Sequence, residues 1–212
     1  MSSGLSSVRY PLVIFDMDGT LTEELLDFDA IRRDIGMPAQ GGILEHIRQM
    51  PPADQQRAND ILHSHEIEAA DRCRLQPGAT ELLAVFRSRG IQTALLTRNS
   101  APCAARILDR HQLRLDFVAT RDHLPHKPHP DSILNITRRF RIPPSQTLMV
   151  GDYLYDLQAA AAAAVDSALL FTEGGRGARE AGPGQWPPFA AMATYRIRTL
   201  SELLPIVEKG KP

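Results

Sequence analysis

The sequence predicts an α/β fold, a parallel sheet with alternating helices that is interrupted after its first strand by a purely helical block. Two observations carry this. Short apolar runs bounded by turn residues recur at 12–15, 91–96, 117–120, 147–150 and 167–171, with helical spacings between them from residue 78 onward. Residues 23 to 75, by contrast, hold helical spacings and almost no strand pattern.

The first strand is Leu12-Val13-Ile14-Phe15, and it runs into Asp16-Met17-Asp18-Gly19-Thr20-Leu21-Thr22. Side chains alternate along an extended chain, so Asp16 and Asp18 can point the same way, and Gly19 lets the backbone turn directly afterwards. In an open parallel sheet the carboxyl ends of strands line the ligand crevice. Two neighbouring carboxylates there need a cation, a shared proton or solvent. Alone, Asp-Xaa-Asp-Gly also reads as a solvated turn. A calcium loop is excluded, because it needs a longer ladder of oxygen ligands and a helix where this chain has a strand.

The block from 23 to 75 reads as three or four short helices separated at Gly36-Met37-Pro38, Gly41-Gly42 and Met50-Pro51-Pro52-Ala53-Asp54, with Asp54 as a helix cap. Inserted directly after the acidic loop, it is placed to cover the site. Its arginines Arg32, Arg33 and Arg48 have two readings, facing an acidic substrate or simply solvated. After Gln76-Pro77-Gly78, a helix ends at Arg89-Gly90 and the strand at 91–96 delivers Thr97-Arg98-Asn99-Ser100. These residues read as a phosphate cradle at a strand-to-helix junction, or as an ordinary helix cap.

A helix from Ala101 to Arg110 and a short strand at Phe117 follow. The segment 121–131 then carries His123, His126 and His129 among prolines, and no further Cys or His cluster completes a zinc shell. Lys127 is more informative. The chain has three lysines, and the other two, Lys209 and Lys211, lie in the tail, so Lys127 is the one placed to meet a phosphate and the acids around it. A helix from Asp131 to Phe140 precedes Thr147-Leu148-Met149-Val150, whose strand ends in Gly151-Asp152. Asp152 can complete a Mg²⁺ site with Asp16, since this hard cation takes carboxylate and carbonyl oxygens. Asp156 lies one helical turn on. An alanine-rich helix over 157–165, a strand at 167–171, a Gly- and Pro-rich surface loop over 174–188, a short strand at Tyr195 and a helix over 200–207 close the chain.

Composition bounds the rest. The 212 residues, 43% hydrophobic and 23% charged, suit one medium domain or a domain with an insertion. A formal net charge of -1 leaves no electrostatic footprint for nucleic acid or an anionic membrane. No apolar run approaches the roughly 20 residues of a membrane span, and Met1-Ser2-Ser3-Gly4 lacks a signal peptide's apolar stretch, so a cytoplasmic location is expected. Cys73 and Cys103 read as buried or half-buried thiols. Oligomeric state is not encoded in these patterns.

Taken together, the segment from Asp16 to Thr22, then Thr97, then Lys127-Pro128, then Gly151-Asp152 with Asp156 resemble the four ordered motifs of the haloacid dehalogenase-like hydrolase superfamily. They span residues 12 to 156. The helical insert resembles the cap of its phosphoglycolate phosphatase and β-phosphoglucomutase branch, and Asp27-Phe28-Xaa-Xaa-Ile31-Arg32 and Glu66-Xaa-Glu68-Ala69-Ala70 resemble stretches of a subgroup without a named substrate. The resemblance implies a three-layer Rossmann-like core of residues 1–21 and 76–212 and a cap of residues 22–75. It implies a phosphatase acting on a small phosphorylated metabolite, with Asp16 as nucleophile and Asp18 as acid and base. Thr97, Arg98, Asn99 and Lys127 would hold the phosphate, Mg²⁺ would sit on Asp16, the Asp18 backbone carbonyl and Asp152, and Asp156 would support them. A phosphomutase would share the phospho-aspartate, and a non-catalytic phosphometabolite-binding protein would share the fold. Residues 23 to 75 contain no lysine for the Schiff base of phosphonoacetaldehyde hydrolase, and Asp18 argues against carbon–halogen cleavage.

Overall fold

The computed structural model describes residues 8–24, 26–38, 41–122, 125–182 and 184–210. Met1 to Gly4, His123 and Lys211 lie outside them. Six strands form one sheet in the order β3-β2-β1-β4-β5-β6, with every neighbouring pair parallel. They are β1 (Leu12–Phe15), β2 (Gln92–Leu96), β3 (Phe117–Ala119), β4 (Thr147–Gly151), β5 (Asp166–Leu170) and β6 (Tyr195–Ile197).

The pleat of β1 sets the layers. Leu12 and Ile14 turn to one face and pack with Ile133, Ile136, Ala159 and Ala160 of helices α6 (Asp131–Phe140) and α7 (Leu154–Ala162). Val13 and Phe15 turn to the other, where α4 (Ala79–Ser88), α5 (Ala101–Arg110) and α8 (Leu203–Lys209) bring Leu82, Phe86, Ala104, Ile107 and Leu203. All four residues of β1 are fully buried, as a strand covered on both faces requires. The expected three-layer α/β arrangement is therefore present.

Between β1 and α4 stand α1 (Phe28–Ile35), α2 (Ile43–Gln49) and α3 (Pro52–Arg72), which share an apolar cluster of their own around Leu26, Ile31, Ile43, Ile47 and Leu62. Asp27 caps α1, its Oδ1 accepting from the Asp29 and Ala30 amides, and Gly36 closes it at φ +80°. The chain leaves and returns side by side: Glu23 N–H donates to Arg74 O and Gln76 N–H to Leu21 O.

Several boundaries differ from expectation. The third helix of the insert is not short but 21 residues long, because neither Gly nor Pro interrupts residues 53 to 72. Pro51 holds the cap position that Asp54 was expected to take, and Asp54 sits in the first turn. Helix α7 starts at Leu154 rather than 157, since Asp156 accepts from the Tyr153 amide at 3.1 Å and so opens the helix early. The loop over 174–188 carries a 3-10 turn at Arg176–Glu180, with Phe189 buried behind it.

Candidate active site

Strand register assembles the site. Phe15 lies opposite Leu95 on one side and Val150 on the other, so the residues after β1, β2 and β4 emerge together at one edge of the sheet. Asp16 N–H donates to Val150 O at 2.9 Å, which holds the first acid beside the segment that carries Asp152. Lys127, only 2% exposed, reaches in from the loop before α6, with Nζ 2.5 Å from Asp16 Oδ1 and 2.7 Å from Asp156 Oδ1.

Oxygens of Asp16, Asp152 and Asp156 lie within 4.8 Å of one another, the single group of this kind among the described residues. Burial pushes the Asp16 carboxyl up to about 6, with Lys127 opposing and Asp156 adding to the rise. Burial, then the charges of Asp16 and Asp156, hold Asp152 well above the usual carboxylate range. Lys127 answers Asp16 and Asp156, whereas Asp152 has no ion pair among the described residues and the charge of Arg176 opposes its rise. A cluster of hard oxygens with surplus negative charge fits Mg²⁺. His126 bonds Arg48 at 2.7 Å and His129 faces Asp131, so neither joins the acids.

Two glycines admit these acids. A Cβ on Gly19 would lie 2.3 Å from Asp152 Oδ2 and one on Gly151 would lie 2.2 Å from Asp156 Cγ, so both positions are closed to larger residues. Gly19 also has φ +80°, which strains any side chain. Gly19→Ala is expected to displace Asp152 and to cut any activity at least about 100-fold, as a misplacement of about 1 Å can. Unaltered steady-state rates in that variant would show that the close approach is unimportant.

Asp18 is not part of this cluster, and its Oδ2 accepts from Asn99 Nδ2 at 2.8 Å. Burial and then the Asp16 charge push its carboxyl up to about 7. Thr97 is buried and does not line the cavity; its Oγ1 accepts from the Asn99 amide and shapes the turn. Arg98 lines the cavity, but its guanidinium pairs with both oxygens of Glu45 on α2, at 3.0 and 2.9 Å, stacks on Tyr155 and donates to Lys127 O.

A cavity open to solvent lies between the acids and the insert. Of the three arginines read either as facing an acidic substrate or as solvated, Arg32 lines it, while Arg33 and Arg48 are exposed. Sequence reasoning also missed Glu24, Arg121 and Arg176, and took Glu66 only as part of a resemblance. Glu66 is 2% exposed on α3, accepts from Ser100 Oγ at 2.8 Å and pairs with Arg121. A lone Glu on the apolar side of a helix was the available signal.

The sequence pattern of the haloacid dehalogenase-like hydrolase family matches residues 10–164, more than half of the chain. The chain belongs to this family. A haloacid dehalogenase-like hydrolase domain-containing protein of Arabidopsis thaliana is 30% identical over 207 residues, 92% of this chain and 83% of that one. A phosphoglycolate phosphatase of Pseudomonas syringae pv. tomato is 31% identical over 188 residues, 75% of this chain and 68% of its own length. The crystal structure of a predicted phosphoglycolate phosphatase from Haemophilus somnus superposes with a TM-score of 0.71 at 20% identity, covering 97% of this chain and all of that one, and bears on the fold alone. This haloacid dehalogenase-like hydrolase has no described helix long and apolar enough to cross a membrane.

Proposed function

We propose that the chain is a Mg²⁺-dependent phosphatase that hydrolyses a small phosphate monoester through an aspartyl-phosphate on Asp16, with residues 22–75 acting as a cap. One observation carries this reading: Asp16 stands at the cavity floor against Lys127 and the other acids, with Asp18 two residues on in a different environment. Asp16 attacks phosphorus, and the bond to the leaving oxygen breaks as that oxygen takes the Asp18 proton. With its carboxyl near 7, Asp18 supplies that proton around neutral pH. The Asp18 carboxylate then takes a proton from the water that attacks the aspartyl-phosphate, which releases inorganic phosphate and restores Asp16. Lys127 offsets charge on the phosphoryl oxygens and orients Asp16. Asp16, Asp152 and the Asp18 carbonyl would hold Mg²⁺, which when bound neutralises phosphoryl charge. Arg98 and Asn99 supply the rim of the phosphate site, and Thr97 positions Asn99.

Phosphate release from a panel of phosphorylated metabolites, with Mg²⁺ or EDTA, tests this. Release of inorganic phosphate also separates the reading from a phosphomutase, in which a second hydroxyl accepts the group. Binding should show without turnover as well. At 100 times its Kd, Mg²⁺ adds about 2.7 kcal/mol, or roughly 5–10 °C in Tm for a chain of this size. Asp152→Asn is expected to raise the metal-free Tm by relieving repulsion and to abolish the Mg²⁺ response. Calorimetry showing the full response in that variant would place the cation elsewhere.

A further inference from the structure

One wall of the cavity plays no part in these steps. Phe28 and Arg32, four apart on α1, share a helix face, and Arg176 arrives from the loop after β5 with its guanidinium 4.2 Å from the Phe28 ring centre and 3.8 Å from that of Tyr153. Glu24 completes this wall.

Three side-chain atoms here are buried without a hydrogen-bond partner among the described residues, both carboxylate oxygens of Glu24 and Nε of Arg32, and Arg176 beside them is half-buried. Neither Glu24 carboxylate oxygen closes a hydrogen bond among the described residues, although the Arg176 amide and the Arg176 and Arg179 guanidiniums lie on its side and oppose the effect of burial. Arg32 Nη1 reaches Asp29 and Nη2 reaches Gly41 O, but its buried Nε has no acceptor among the described residues. Arg176 forms no side-chain ion pair among the described residues, and its guanidinium is held by the two rings. Such groups cost about 1–3 kcal/mol each when left unmatched, so their retention in one cavity points to a ligand.

Signs and donor types narrow that ligand. The phosphoryl oxygens are taken up at Asp16 and Lys127, so this wall faces the leaving group. A second anion would be drawn by the arginines but would meet Glu24, and a cation would meet the reverse. A hydroxyl satisfies both, since it donates to a carboxylate and accepts from a guanidinium. The same cavity is lined by Asp16 and Lys127 and by Phe28 and Arg32 of the insert, so the wall lies in the space that a leaving group enters. We propose that this wall is a specificity subsite for a polyhydroxylated leaving group, so that the substrate is a sugar or polyol phosphate whose hydroxyls donate to Glu24 and accept from Arg32 and Arg176. This rests on the phosphatase reading above.

Steady-state rates on glucose 6-phosphate, sorbitol 6-phosphate, 2-phosphoglycolate and p-nitrophenyl phosphate test it, with Asp16→Asn as the blank. At least one of the hydroxylated esters is expected to show kcat/KM about ten-fold or more above the other two. Glu24→Gln, which keeps shape, and Arg32→Lys, which keeps charge, should each lower the ratio of that value to the one for p-nitrophenyl phosphate by about ten-fold, mostly through KM. A preference for 2-phosphoglycolate, with the ratio unmoved in both variants, overturns the subsite and leaves the phosphatase standing. Silence on all four esters overturns the phosphatase reading and the subsite with it.

Discussion

Asp16→Asn is expected to lower Mg²⁺-dependent phosphate release by at least about 10⁴-fold, because an amide neither attacks phosphorus nor leaves as a carboxylate. The substitution keeps size and shape, and the Asp16 N–H bond to Val150 O belongs to the backbone and survives. Lys127 keeps Asp156 as a partner at 2.7 Å, so the buried cation is not orphaned. Stability should therefore change little while chemistry stops. Rates with Mg²⁺ and with EDTA, beside a melting curve of the same sample, separate the two effects. A folded variant that retains near-normal metal-dependent turnover would sink the nucleophile assignment.

Lys127→Met is expected to damage both stability and catalysis. Its ammonium is shared between Asp16 and Asp156, and Lys127 and Asp156 are each only 2% exposed. Removing one partner from a buried ionic set leaves uncompensated charge, worth about 3–5 kcal/mol, or roughly 6–20 °C in Tm for a chain of this size. Loss of the cation at the phosphoryl oxygens should cost a further 100- to 1000-fold or so in kcat. A second substitution separates these contributions. Lys127→Met with Asp156→Asn removes one of the two orphaned acids, so the double variant should melt several degrees above the single one while remaining inactive. If activity returned with stability, Lys127 would be a structural cation and not part of the phosphate site.

Legibility differed sharply between the sheet and the insert. The strand after Tyr10 was readable because all four of its residues are apolar and it is buried on both faces, a pattern that no neighbouring element can alter. Asp16, Asp18, Lys127, Asp152 and Asp156 were readable because each stands at or near an abrupt apolar-to-polar change or in proline-marked isolation. Arg32 and Arg33 show the opposite case. Adjacent in sequence, they differ by about 100° around α1, so one lines the cavity and the other meets solvent. Glu24 and Arg176 were not legible as a pair, since 151 intervening residues carry no mark that they face one wall. Arg98 was read as a phosphate-binding residue, and its pairing with Glu45 on α2, a contact made only when insert and sheet meet, was not legible.

By itself, the sequence determined the strands, their alternation with helices, the position of the helical insert and the acids at the ends of β1 and β4. These are local properties, written in runs of apolar residues, turn chemistry and short spacings. Tertiary structure alone decided which of the charged side chains share the cavity, that Gly19 and Gly151 are the openings through which Asp152 and Asp156 approach, and that Glu66 on α3 meets Ser100 and Arg121. Those facts depend on sheet order, strand register and the angle at which the insert meets the sheet. They are set by packing between residues far apart in the chain, which local pattern does not encode.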